Sequence, residues 1–240
     1  MSVHSLILVN DSLLEIDHIF ICLAAPPNQY LLRELGLVCS DRLVRHPHQG
    51  TISSLIFFEN IYLELIWVEN ETAAEIYAMR SGIDFLARSY WQQTNVSPFG
   101  IALRQKPEIE IRNLEVGNDS ERRIYDNEFL NFAADNLAAQ TEPLCFIIPD
   151  SISLRTIFDP TSETHRQLTS HPRGLRTLTK TLVATEQTSN LSAPVSMLLR
   201  DGLIQIEQNA SPRLELTFDY GNRGGSLDLR LIGIPAILKY

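Results

Sequence analysis

The sequence predicts an α+β fold assembled from two βαβββ modules. Three observations lead there. Glu15-Ile-Asp-His-Ile-Phe-Ile-Cys-Leu23 and Tyr62-Leu-Glu-Leu-Ile-Trp-Val68 both read as extended strands that carry one polar residue among apolar neighbours. The period of two in a strand sets His18 beside Phe20 and Cys22, and Glu64 beside Tyr62 and Ile66. The third observation is that the order strand, helix, three strands can be read twice along the chain.

In the first module, Pro26-Pro-Asn follows the opening strand, and Tyr30, Leu31, Leu32 and Leu35 then fit a short amphipathic helix stopped by Gly36. Residues 37–44 fit a second strand, and His46-Pro-His-Gln-Gly50 is punctuated as a loop. Residues 51–58 form a third strand, which the turn Glu59-Asn60 joins to a fourth at 61–68.

The second module takes 174–184 as its first strand and 193–200 as its helix, ended near Asp201-Gly202. Its further strands are 203–207, 213–220 and, after the turn Gly221-Asn-Arg-Gly-Gly225, 226–232. Matching the two hairpins aligns Leu63-Glu-Leu-Ile with Leu227-Asp-Leu-Arg, so Asp228 takes the place of Glu64. The place of His18 falls near Thr177 or Thr179, which leaves the second module without a strand histidine. Between the modules, 72–90 reads as helical, 97–104 as a strand and 144–148 as a short buried strand or a lining segment. The charged, irregular stretch 106–139 reads as a linker packed over the modules as a lid. The chain therefore divides into 1–70, the first module; 71–170, linker and elaboration; and 171–240, the second module.

With 240 residues the chain has ample length for a core. Its net charge of -9 and pI of about 5.1 argue against nucleic acid as a partner, since phosphates call for clustered Lys and Arg. Three well-separated cysteines, Cys22, Cys39 and Cys145, suit a reducing compartment, and the expected location is cytoplasmic. No basic leader precedes the apolar run 19–25, which is far shorter than the roughly 20 residues a membrane span requires. The sequons at Asn118 and Asn209 matter only in a secreted protein. Dinucleotide, phosphate-loop, nucleophile-elbow, Cys-x-x-Cys and His-Glu-x-x-His motifs do not occur.

An imidazole and a carboxylate converging in a partly apolar setting suit a divalent-metal site or an acid/base pair. Each candidate also has a plainer reading. His18 works equally as a core histidine bonded to a neighbouring strand or to Glu64, and Glu64 requires some partner because a lone buried carboxylate is costly. Asp228 stands two residues from Arg230, with which a simple ion pair is the plainer role. His46, His48 and Gln49 lie in a loop that can reach the pocket mouth, although loop histidines are usually exposed. His171, before Pro172, offers a third nitrogen ligand or a structural junction. Tyr62, Phe57, Trp91 and Phe99 line an apolar substrate pocket or belong to the core. Cys22 shares the His18 face as a soft ligand or as an inert buried thiol.

Taken together, Ile16-Asp-His-Ile, His46-Pro-His-Gln-Gly-Thr51, Tyr62-Leu-Glu-Leu65, Ser97-Pro-Phe-Gly100 and His171-Pro-Arg-Gly174 give a chain that resembles the vicinal oxygen chelate superfamily of glyoxalases, bleomycin-resistance proteins and dioxygenases. It is most similar to the two-module glyoxalase-like proteins. The resemblance implies two βαβββ modules forming a cupped mixed sheet with helices on the convex face and a small-molecule pocket inside. It also implies a divalent metal ion held by the first and fourth strands of each module and chelating vicinal oxygens of the substrate. The metal can be Fe, Mn, Zn, Ni or Mg, and its presence is left open. His18, Glu64 and Asp228 match the ligand positions, with Glu64 a ligand or a base; the candidate substrate-binding residues, taken from the loop and aromatic readings above, are His46, Gln49, Phe57, Tyr62 and Phe99. Two departures stand out. Thr177 or Thr179 replaces a stronger ligand, and Ile52-Ser53 follows Gly-Thr where Ala-Asn is usual. The activity implied is that of a metal-dependent lyase, isomerase or dioxygenase. The alternative is a non-catalytic protein that sequesters a small molecule.

Overall fold

The computed structural model describes residues 12–106 and 131–240. Most of the stretch expected to form a lid, and the Asn118 sequon with it, therefore lie outside the described residues. The fold is α+β, with two mixed sheets. The first opens with β1 (Leu14–Leu23), followed by helix α1 (Gln29–Glu34), whose N-terminus is capped by the Asn28 side chain accepting from the Leu31 amide. Next come β2 (Val44–His46), β3 (Thr51–Phe57) and β4 (Tyr62–Val68). The strand expected over 37–44 shrinks to the three residues of β2, because the Leu37 amide bonds back to Leu32 O and the Val38 amide to His171 Nδ1 instead of to a neighbouring strand.

Strands β1 and β4 run parallel and adjacent, with His18 opposite Tyr62 and Phe20 opposite Glu64. The segment expected to be one helix over 72–90 is broken into α2 (Glu71–Ser81) and α3 (Phe85–Ser89), because Gly82 adopts the left-handed conformation that ends α2. The four-residue α4 (Trp91–Thr94) follows, with Trp91 half-buried at its start. The stretch that reads from sequence as linker and elaboration supplies strands to the first sheet. Strand β5 (Phe99–Gln105) pairs antiparallel with the free edge of β1. Strand β7 (Leu144–Ile147) pairs parallel with β5, and β6 (Asn131–Phe132) antiparallel with β7. The sheet runs β2-β3-β4-β1-β5-β7-β6. A short helix, α5 (Ala134–Ala138), links its last two strands, and α6 (Leu154–Ile157) and α7 (Glu163–Thr169) follow.

The second sheet repeats the opening of strand followed by helix, with β8 (Leu178–Thr185) and α8 (Ala193–Arg200). It continues with β9 (Gln205–Gln208), β10 (Arg213–Phe218), β11 (Ser226–Asp228) and β12 (Ala236–Lys239). Its order, β11-β12-β10-β8-β9, differs from that of the first sheet. The strand expected over 226–232 ends at Asp228, whose side chain caps a 3-10 turn by accepting from the Arg230 amide, and β12 takes the inner position beside β10.

One apolar core serves both sheets. Ile19, Ile21, Leu63, Leu65, Ile101 and Leu103 of the first sheet pack with Val183, Leu214, Leu216 and Leu238 of the second, together with Leu32 of α1 and Leu198 of α8. The opposite face of the first sheet carries His18 and Glu64. It is covered by Ile83 and Phe85 near α3 and by Leu154 and Leu168 of α6 and α7. Among the described residues no helix is long and apolar enough to cross a membrane.

Candidate active site

The site begins with an irregularity in β1. Pairing with β5 shifts between Ile16 and His18, the mark of a bulge that leaves Asp17 as the extra residue. The side-chain phase changes with it. Leu14 and Ile16 face the shared core before the bulge, and Ile19, Ile21 and Leu23 face it afterwards. Asp17 and His18, which strict alternation would send to opposite faces, therefore meet, with Asp17 Oδ1 2.9 Å from His18 Nδ1.

The other imidazole nitrogen faces β4. His18 Nε2 lies 3.9 Å from Glu64 Oε2, and both residues are buried. Glu64 Oε1 accepts from Ser53 Oγ at 2.6 Å, and His46 Nε2 approaches the same oxygen to 3.5 Å from the loop end of β2. Burial works to raise the Glu64 pKa, but the hydrogen bond from His46, the positive charge that His18 brings when protonated and the Ser53 hydroxyl together hold it below the ordinary carboxylate value. Asp17 shows the same balance. Burial opposes ionisation, and bonds with His18 and Arg104 overcome it, so its pKa is also lowered.

Behind Asp17 stands Arg104 of β5. It donates to Asp17 Oδ2 at 2.7 Å, to Glu15 Oε1 at 2.7 Å and to Asn60 O at 2.9 Å. Arg155 of α6 pairs with the same Glu15, and the Leu154 amide donates to Asp17 Oδ2 at 2.9 Å. Aromatic rings close around the imidazole. Tyr62 stacks on it with centroids 4.4 Å apart, Phe146 meets it edge-on at 5.9 Å, and Phe57 lies against Tyr62 at 5.6 Å and stacks on Phe158.

Several expected residues lie elsewhere. Phe99 belongs to the shared core with Ile101 and Leu103, because the pairing of β5 with β1 turns Gly100 and Ala102, rather than Phe99, toward the His18 face. Asp228 sits on edge strand β11 of the second sheet and forms a two-point ion pair with Arg230. The Thr179 hydroxyl donates to Thr217 O and that of Thr177 to Glu59. Gln49 is half-buried and accepts from Thr51, while His48 is exposed. His171 is a junction: its Nδ1 accepts from the Val38 amide at 2.9 Å and its Nε2 donates to Phe57 O at 2.9 Å. The Cys22 thiol, on the His18 face, is pushed up to about 12 by burial and stays protonated.

The three ligands expected for a divalent ion are not assembled. His18 and Glu64 converge and Asp228 does not. Among the described residues no three His, Cys, Asp or Glu side chains form a set that could hold a metal ion. Asp17, Ser53 and Arg104, which sequence reasoning passes over, complete the site instead. What the arrangement offers chemically is a buried imidazole between two ionised carboxylates.

A crystal structure of a hypothetical protein from Staphylococcus aureus shares this fold, with a TM-score of 0.50 and 15% identity over 94% of this chain and 98% of that one. A methylmalonyl-CoA epimerase from Mycobacterium tuberculosis overlaps less, at TM-score 0.31 and 12% identity over 59% of this chain and 93% of its own. No family model matches the chain, and no curated protein matches it.

Proposed function

We propose that this chain is a glyoxalase-like protein that transfers protons on a small molecule bearing adjacent oxygens, an isomerase or lyase by reaction class. The observation that carries the reading is the buried pair His18 Nε2 and Glu64 Oε2, 3.9 Å apart on neighbouring parallel strands. The β2-β3-β4-β1 order around that pair supports the resemblance to the vicinal oxygen chelate proteins.

A carboxylate and a neutral imidazole nitrogen both accept hydrogen bonds, so a ligand that meets both must bring hydrogens on neighbouring atoms, such as the C–H and O–H of a hydroxycarbonyl compound. Glu64, kept ionised by its partners, receives the hydroxyl. His18 takes the carbon-bound proton and returns it. The rings of Tyr62, Phe57 and Phe146 exclude water and favour a ligand with an apolar body. Among the described residues no three donors for a divalent ion are assembled, and these steps are those of the side chains themselves. Cys22, Cys39 and Cys145 are free and buried, which supports a reducing, cytoplasmic setting.

The burial of the same pair under aromatic rings also favours a second reading, a protein that sequesters its ligand without turnover. One experiment separates the two. Hydroxyketones and 2-oxoaldehydes are incubated with the protein in deuterated water, and exchange at the carbon beside the carbonyl is followed by NMR. The expected result is exchange that falls about 10²–10⁴-fold in His18→Ala and Glu64→Gln and is unchanged after chelator treatment. Ligand binding without exchange would move the function to sequestration, and neither binding nor exchange would overturn the proposal.

A further inference from the structure

We infer that Asp17 is a positioning residue for His18, holding the neutral imidazole with its proton on Nδ1 so that a bare Nε2 faces Glu64. The inference rests on the reading of His18 as the proton carrier, and it adds a partner that neither the strand pattern nor the resemblance supplies.

Hydrogen-bond donors surround the Asp17 carboxylate. Its side chain is fully buried, and two of its contacts can only donate: Arg104 Nη1 at 2.7 Å and the Leu154 amide at 2.9 Å, both on Oδ2. A carboxylate so held is ionised and is an acceptor at every lone pair. Its other oxygen, Oδ1, lies 2.9 Å from His18 Nδ1. Two bare acceptors at that separation repel, so Nδ1 carries the hydrogen. The neutral ring has one proton, and Nε2 is left with its lone pair directed at the Glu64 side.

The orientation is as constrained as the tautomer. Tyr62 stacks flat on the ring, with an interplanar angle of 19°, and Arg104 is itself fixed by Glu15 and Asn60 O. The bulge at Asp17 makes this possible, because a regular strand would place the carboxylate on the other face. The same logic operates where a buried carboxylate orients a catalytic histidine in acyl-transfer enzymes.

The test reads the tautomer directly and needs no substrate. Full-length protein labelled with ¹⁵N-histidine is examined by NMR at alkaline pH, with the His18 signals identified by their loss in His18→Gln. The expected spectrum shows a protonated Nδ1 and an unprotonated Nε2. In Asp17→Asn, whose amide can donate to Nδ1, the protonated signature should move to Nε2, and proton exchange on a substrate should fall on the order of 10²–10⁴-fold in turnover with little change in KM. A wild-type spectrum with the proton on Nε2 overturns the inference even if Asp17→Asn does not fold. An unchanged tautomer in a folded Asp17→Asn overturns it as well. A correct tautomer with no exchange activity would instead count against the function proposed above and leave the positioning intact.

Discussion

His18 and Tyr62 lie directly opposite each other on parallel strands, and their rings stack at 4.4 Å. Strand register thus supplies the clamp that keeps the imidazole from turning. Tyr62→Phe should preserve both stability and ring orientation. Tyr62→Ala removes a ring that also packs on Phe57 and should cost about 3–5 kcal/mol, measured as a lower midpoint in urea.

Gly100 sits across from Phe20 in the β1–β5 pair, and a Cβ built there would fall 2.0 Å from the Phe20 ring. Phe20 lies over the space that a larger residue would fill. Gly100→Ala must push that ring into Phe85 and Phe146, so a loss of about 1–3 kcal/mol is expected by thermal or urea denaturation.

Arg104 and Asp17 form a buried pair, with the two side chains 5% and 0% exposed. Arg104→Met should leave Asp17 charged without its cation and cost about 3–5 kcal/mol. The double variant Arg104→Met, Asp17→Leu should recover a large part of that loss, because no unpaired charge remains. A double variant as unstable as Arg104→Met alone would show that the charge itself is not the cause.

His171 should make the fold sensitive to mild acid. Its burial lowers its pKa below the ordinary 6.5, against a weaker opposing effect of the Phe57 carbonyl. The Val38 amide requires a bare Nδ1. Below 6.5 the unfolded chain binds a proton that the folded chain resists, so this contribution is complete above that pH and is lost as pH falls toward and through the lowered value. Urea midpoints measured from about pH 7.5 down to about pH 5.5 should decline in the wild type and less steeply in His171→Gln.

Alternation along β4 is enough to place Glu64, because that strand is regular and each of its faces has a distinct destination. Helix α8 is legible to the residue, since its apolar positions recur at helical spacing and Asp201-Gly202 ends it. Phe99 is misplaced by the same kind of reasoning, because the parity of β5 is set by its partner β1, a long-range fact. Asp17 is invisible for a different reason. A bulge inverts the strand period, and nothing in Glu15-Ile-Asp-His18 announces one. The strand expected after Ser226 fails because Asp228 bonds its own turn, a local competition that pattern alone does not resolve.

Val183, Leu214 and Leu216 of the second sheet fill the same core as Ile19, Leu63 and Ile101 of the first. Each half therefore has an apolar face that the other half covers. A fragment ending near residue 171 would present a wet apolar face, and so would the remainder. Loosening of the second sheet therefore reaches His18 on the first through shared packing, and the molecule should melt in a single cooperative step.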